Sequence, residues 1–305
     1  MFRLNICKTT IAINRFMTTT TTTTNNKRIG LGQITSTNNK DENFKQCKRL
    51  IEKAVENKVQ LFCLPECFAF ISGGVHQFES RDNAEYLDQK GGIIERYQKL
   101  AQENKLWLSL GGFHEKIEGE NEMIYNTHLI IDADGKIVSQ YRKMHLFDVD
   151  IPSKGVKMNE SKVVKGGNEL VVCDSPVGKL GLSICYDLRF PELYLSLRRM
   201  NSDILLVPAA FMKSTGEAGH WKTLLQARAI ENQCYVIAPA QTGNHHSKRT
   251  SFGHSLIIDP WGKVLSELDE NTIDIAFTDI DHSYIETVRE NIPVFNHKKL
   301  NNYKI

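Results

Sequence analysis

Short, continuous apolar runs recur along this chain, with amphipathic helical stretches between them. From Arg28 onward the two patterns alternate. A run of four to eight apolar residues without a polar face reads as a strand buried on both sides. Strands of that kind separated by helices specify an α/β fold. Residues 29–34, 59–64, 106–110, 203–207 and 235–239 have this character. Residues 41–57 place Phe44, Cys47, Leu50, Ile51, Ala54 and Val55 at helical spacing, and residues 93–103 and 220–232 read as further helices. Two strands, 125–132 and 137–141, flank the turn Asp132-Ala133-Asp134-Gly135, and a hairpin is expected around Pro176-Val177-Gly178. No Pro/Gly/Ser-rich linker divides the chain. The expectation is one domain over residues 28–299 with a short tail at 300–305.

An internal echo accompanies this alternation. Residues 129–136 (LIIDADGK) resemble residues 256–263 (LIIDPWGK), and residues 61–68 (LFCLPECF) faintly resemble residues 204–211 (ILLVPAAF). Two α/β halves packed sheet to sheet explain the echo; chance similarity between hairpins is the alternative.

Composition narrows the partners. With 305 residues, 41% hydrophobic and 24% charged, the chain suits a soluble enzyme-sized protein. Its net charge of +2 implies no acidic or basic partner such as nucleic acid. No apolar run approaches the roughly 18 residues of a membrane span, so no membrane partner is expected. Seven cysteines, an odd and scattered set, argue for a reducing compartment rather than a disulfide framework. The spacing Cys63-x-x-x-Cys67 is not that of a zinc ribbon and reads as structural. His245-His246 reads as part of a surface turn, so no metal is expected. The first forty residues are basic, hydroxyl-rich and free of acids, with a threonine run at 18–24. That composition suits a mitochondrial transit peptide over residues 1–27 or, alternatively, a disordered tail. Met17 offers a second start beside Met1, and so a cytoplasmic form as well as a mitochondrial one.

The chemistry concentrates where strands end. Residues 181–192 (GLSICYDLRFPE) run from an apolar strand into Cys185, then a charged turn, then a helix opened by Pro191. This puts a thiol at the carboxyl end of a strand, where open α/β sheets keep their active sites. Alone, such a cysteine is usually a small buried hydrophobe. Three other residues change its meaning: Glu66 after residues 61–65, Lys143 in residues 140–148 (QYRKMHLFD), and Glu160 in residues 158–161 (MNES). Hydrolysing an amide needs a nucleophile, a base and a group to hold the oxyanion. Glu66 suits the base, Lys143 the cation, and the Tyr186 backbone N–H a second oxyanion donor.

At LPE, YRKMHLFD and CYDLRFPE the chain resembles the nitrilase, or carbon–nitrogen hydrolase, superfamily, over roughly residues 28–299. The resemblance implies a four-layer αββα sandwich, a Glu-Lys-Cys constellation of Glu66, Lys143 and Cys185 with Glu160 orienting, no cofactor, and a homodimer or higher homo-oligomer. Glu66 then takes the thiol proton and later protonates the departing amine, leaving a thioester for water to cleave. Residues 106–115, 141–152, 227–241, 245–262 and 292–297 resemble the branch acting on deaminated glutathione, a 2-oxoglutaryl group in amide linkage to cysteinylglycine. For that small-molecule amide, Arg189 offers a fork for the 2-oxo acid carboxylate, with Phe211 and Thr215 as pocket wall and polar contact. The other reading of Arg189 is an ion pair with Asp187 or Glu192. One departure is the turn over residues 215–221, a residue longer than the family's. The alternatives are an ω-amidase acting on 2-oxoglutaramate, a papain-like protease, for which no histidine stands in a partner motif, and a catalytically dead binding or scaffold protein.

Overall fold

A computed structural model describes residues 27–76, 78–151, 156–299 and 302. The leader with Met1, Met17 and the threonine run, Pro152, and most of the tail lie outside the described residues. The first half runs β1 (Arg28–Gly32), α1 (Lys40–Glu56), β2 (Leu61–Leu64), α2 (Glu79–Asp82), α3 (Ile93–Asn104), β3 (Trp107–Lys116), β4 (Ile124–Ile131) and β5 (Ile137–Arg142). A small hairpin of β6 (Asp148–Ile151) and β7 (Val156–Asn159) follows. The second half runs β8 (Val172–Ser175), β9 (Gly178–Leu182), α4 (Pro191–Arg199), β10 (Ile204–Leu206), α5 (Lys213–Glu217), α6 (His220–Asn232) and β11 (Tyr235–Ala238). It continues through β12 (Thr242–His246), β13 (Arg249–Phe252), β14 (Leu256–Ile258), β15 (Val264–Glu267), β16 (Ile275–Asp279), α7 (His282–Asn291) and α8 (Val294–His297).

Two six-stranded sheets result, ordered β16-β1-β2-β3-β4-β5 and β15-β14-β11-β10-β9-β8. Both have a parallel centre, β1-β2-β3 and β9-β10-β11, continued by an antiparallel hairpin, β4-β5 and β14-β15. The echo is therefore structural and not chance. Its two hairpin turns close alike: the Asp132 carboxylate accepts the N–H groups of Asp134 and Lys136, both at 2.9 Å, and Asp259 accepts those of Trp261 and Lys263, both at 2.9 Å.

The continuous apolar runs reflect burial on both faces. On β1 and β2, Ile29, Leu31, Leu61 and Cys63 point between the sheets, against Leu180, Leu182, Leu206 and Ile237. Phe62 and Leu64 point the other way, toward Leu50 and Ile51 of α1 and Tyr97 and Leu100 of α3. On the outer face of the second sheet, Leu205 meets Leu197 of α4, and Leu193 of α4 and Trp221 and Leu225 of α6 are buried there with them. The order is helix, sheet, sheet, helix, as expected. Two helices start where their sequence provides a start. The Asn39 side chain accepts the N–H groups of Asp41 and Glu42 at 3.1 Å and caps α1, and Pro191 stands in the first turn of α4.

The boundaries shift in informative places. β1 ends at Gly32, two residues early, because Ile34 bridges to Gln241 of the other half instead. β3 runs six residues beyond Leu110 after a bulge between Leu110 and Phe113. The strand leading to Cys185 stops at Leu182, and Cys185 opens a 3₁₀ turn to Arg189. The segment 215–221 is no simple turn, since α5 occupies Lys213–Glu217. His245 is not on a surface turn: it is buried in β12, held by the Ser36 carbonyl and the Ser251 hydroxyl, both at 2.8 Å.

Candidate active site

Parallel strands in facing sheets bring their carboxyl ends to one rim. Glu66 follows β2, Cys185 follows β9, and Lys143 follows β5, which runs in the same direction as β2. The rim is stitched across the sheets: the Ala210 N–H, just past β10, donates to Glu66 Oε2 at 2.9 Å, and Gln241 Nε2 donates to the Glu66 carbonyl at 2.9 Å. Glu66 and Lys143 are buried, with 4% and 2% of their surface exposed.

Lys143 Nζ lies between two carboxylates, 3.0 Å from Glu66 Oε1 and 2.9 Å from both oxygens of Glu160. Glu160 is held in turn by the Phe147 N–H at 2.7 Å. Burial opposes the charge on Lys143, yet Glu160 and Glu66 hold its pKa well above the ordinary lysine value. Burial likewise raises Glu66, but the Lys143 charge and hydrogen bonds from Cys185, Lys143 and the Ala210 N–H overcome it and hold the carboxyl well below the usual range. Cys185 donates its S–H to Glu66. Burial and the Glu66 charge push the thiol well above its ordinary value, outweighing Lys143.

The resting pair is thus a neutral thiol beside a carboxylate. Iodoacetamide labelling of Cys185 is therefore expected to be slower at pH 7 than labelling of free cysteine, and to climb only above pH 9. Peptide mass spectrometry across a pH series measures it, and a rate already at its plateau at neutral pH would mean a resident thiolate.

The backbone at the nucleophile is bent sharply. Cys185 adopts φ +46°, a left-handed conformation costing a non-glycine residue roughly 1–2 kcal/mol. A bond from its N–H to the Pro208 carbonyl at 2.8 Å holds it there. The first i to i−3 bond of the turn comes from Asp187, to Ile184 at 3.0 Å, so the Tyr186 N–H precedes the bonded donors, as an oxyanion donor requires. Room for Glu66 comes from the β3 bulge. A Cβ on Gly112, at φ +77°, would lie 2.6 Å from Glu66 Cγ, and one on Gly111 only 2.0 Å from Pro208 Cβ.

Two residues essential to this geometry escaped the sequence reading. Asn126 on β4 donates from Nδ2 to Glu66 at 2.9 Å and to Glu160 at 3.3 Å, bridging the two carboxylates. The available signal was an asparagine inside the apolar run 125–132. Asp187 is fully buried and accepts from Tyr141 Oη at 2.7 Å, the Ile184 N–H at 2.9 Å and the His145 N–H at 3.0 Å. It ties the segment carrying Lys143 to the turn carrying Cys185. Arg189 consequently has no ion pair with Asp187 or Glu192: it stands over the rings of Tyr186 and Phe211, at 6.0 and 5.6 Å, and meets His220 Nδ1 at 3.3 Å. Phe211 is buried, while the Thr215 hydroxyl already donates to the Met212 carbonyl at 3.1 Å.

Comparison with known proteins agrees with this geometry. The carbon–nitrogen hydrolase family profile matches residues 28–290. The chain is 83% identical over 280 residues to deaminated glutathione amidase of Dictyostelium discoideum, covering 92% of this chain and 96% of that protein. It is 43% identical over 277 residues to the Homo sapiens protein of the same name, covering 89% and 82%. The crystal structure of Caenorhabditis elegans NitFhit superposes with a TM-score of 0.84 at 46% identity, covering 91% of this chain and 66% of that one. Saccharomyces cerevisiae Nit3, a member of branch 10 of the nitrilase superfamily, superposes with a TM-score of 0.77 at 30% identity, covering 90% and 96%. By sequence, by fold and by the matched span, this chain belongs to the carbon–nitrogen hydrolase family of the nitrilase superfamily.

Proposed function

We propose that this chain is an amidase that hydrolyses deaminated glutathione to 2-oxoglutarate and cysteinylglycine. The observation that carries the substrate is the 83% identity, over nearly the whole of both chains, to a relative of that name. The observation that carries the chemistry is a thiol and a cation meeting on one buried carboxylate, with Lys143 Nζ 3.0 Å from Glu66.

In this reading Cys185 attacks the amide carbonyl as its proton passes to Glu66. The two steps coincide, because neither a free thiolate nor a protonated Glu66 is favoured at rest. The oxyanion that forms is held by Lys143 and the Tyr186 N–H. Lys143 already meets three carboxylate oxygens, so it turns a proton to the substrate by sharing another between the two oxygens of Glu160. The C–N bond then breaks, and the nitrogen takes the proton from Glu66. The thioester left on Cys185 is cleaved by water, whose proton goes to Glu66, and C–S cleavage returns that proton to the thiol. Glu160 and Asn126 keep Lys143 and Glu66 in place throughout.

The test is a competition between amides. With purified protein, kcat/KM for deaminated glutathione is expected to exceed that for 2-oxoglutaramate at least tenfold. Preference for the smaller amide, with ammonia as product, would make the chain an ω-amidase instead.

A further inference from the structure

One cation near the site has no acidic partner among the described residues. Arg249 opens β13, opposite His246 in the β12-β13 hairpin. That hairpin is pinned over the carboxyl ends of both sheets. The Thr242 N–H donates to the Ile34 carbonyl at 2.8 Å, and the Phe252 N–H donates to the carbonyl of Phe211, the expected pocket wall, at 2.9 Å. His246 abuts the loop that follows Glu66, where a Cβ on Gly74 would come within 2.8 Å of its Nδ1. The Arg249 side chain is half-buried, and its guanidinium makes no hydrogen bond or ion pair with any described residue. Its charge bears on Cys67 and His114. Cys67 is the neighbour of Glu66, and its sulfur lies 4.0 Å from His114 Nε2. An arginine on a surface loop is ordinarily just solvated. This one stands on a hairpin pinned over the rim that carries Glu66 and packed against the loop that follows it.

We propose that Arg249 binds the carboxylate of the leaving group, the glycine end of cysteinylglycine, and so sets a preference for dipeptide amides over simple ones. The proposal rests on the substrate reading above. Deaminated glutathione carries a carboxylate at each end, and two arginines stand near the site on different elements, Arg189 in the turn after Cys185 and Arg249 on the β12-β13 hairpin. Glu66 protonates the departing nitrogen, so the leaving group lies on the Glu66 side. His246, opposite Arg249 in the hairpin, packs against the loop that follows Glu66, on that side. Arg189, over Tyr186 and Phe211 beside the nucleophile, is left for the 2-oxo acid end. A planar fork suits a carboxylate better than an ammonium does.

The experiment compares three amides: deaminated glutathione, its analogue with the glycine carboxylate replaced by a carboxamide, and 2-oxoglutaramate. Each is assayed with the parent protein, Arg249→Ala and Arg249→Lys. A hydrogen bond to a charged group accounts for roughly a tenfold or larger effect. The parent is expected to favour the acid over the carboxamide by about that factor, mainly through KM. Arg249→Ala is expected to lose this preference and to lower the ratio of deaminated glutathione to 2-oxoglutaramate turnover by the same factor, with Arg249→Lys recovering part of both. The parent's own acid-to-carboxamide ratio tests the idea without any variant. If the parent hydrolyses acid and carboxamide equally, or Arg249→Ala keeps the preference, Arg249 has no such role while the substrate reading stands. If the parent does not hydrolyse deaminated glutathione at all, the substrate reading fails and this proposal with it.

Discussion

Cys185→Ala is expected to fold as the parent does and to release no amine. Loss of a nucleophile in a comparable acyl-transfer hydrolase costs on the order of 10⁶ in kcat. Folding survives because one sulfur atom is removed from a partly buried position, and the N–H bond to the Pro208 carbonyl that holds the turn is a backbone bond. Alanine adopts the left-handed φ of +46° at a cost no greater than cysteine's. The companion measurement is mass spectrometry of the parent protein quenched in acid during turnover of deaminated glutathione. It should find a 2-oxoglutaryl mass gain on the peptide carrying Cys185, and none in the variant. Activity in Cys185→Ala above a thousandth of the parent's, or an acyl group on another residue, would reject the thioester mechanism.

Lys143→Met is expected to lose both activity and stability. Methionine fills much the same space but removes the positive charge between Glu66 and Glu160, whose oxygens lie 2.9–3.0 Å from Nζ. Breaking a buried pair by removing one partner costs about 3–5 kcal/mol, because the remaining charge stays out of water. Loss of an oxyanion donor adds a fall of about 10²–10³-fold in kcat. The pH dependence identifies the cause. In the parent, Glu66 is depressed, so its contribution to stability is present above the ordinary carboxylate range and is lost as the pH falls through its folded value. In the variant the Lys143 charge is gone, and burial with the Glu160 charge is expected to outweigh the remaining hydrogen bonds from Cys185, Asn126 and the Ala210 N–H and to raise Glu66. The sign then reverses: the contribution is present at acid pH and is lost as the pH rises through the raised value. Urea unfolding at pH 5 and pH 7.5 should show the larger deficit at pH 7.5. Equal deficits at the two pH values would mean that Lys143 does not neutralise these carboxylates.

Much of the fold was legible before any coordinates because burial on both faces leaves a local mark. Sheets covered by helices on one side and by each other on the other need apolar residues at every strand position, and such runs stand out between helices of helical period. One helix start was equally local, at Pro191. The weak points were places where one half of the chain meets the other. Ile34 leaves its strand for Gln241, and the glycine pair at 111–112 turns what reads as a strand end into a bulge that seats Glu66. No local pattern announces a partner some two hundred residues away.

The site divides along the same line. Glu66, Lys143, Glu160 and Cys185 could be singled out from the sequence because each follows a strand or opens a loop and because the chemistry of amide cleavage calls for those residue types. Their shared geometry could not, since it depends on two sheets facing each other with their carboxyl ends at one rim. Asn126 is an ordinary polar residue in a strand until β4 and β5 pair and set it across from Lys143, whose N–H donates to its carbonyl at 2.8 Å. Asp187 reads as a surface acid until the Lys143 segment closes over it. The sequence by itself determined the class of fold and the chemical parts, because apolar periodicity and residue type are local properties. Only the tertiary structure decided that Lys143 rests between two carboxylates, that Cys185 waits as a thiol, and that Asn126 bridges Glu66 and Glu160, because charge, burial and distance arise only when remote segments meet.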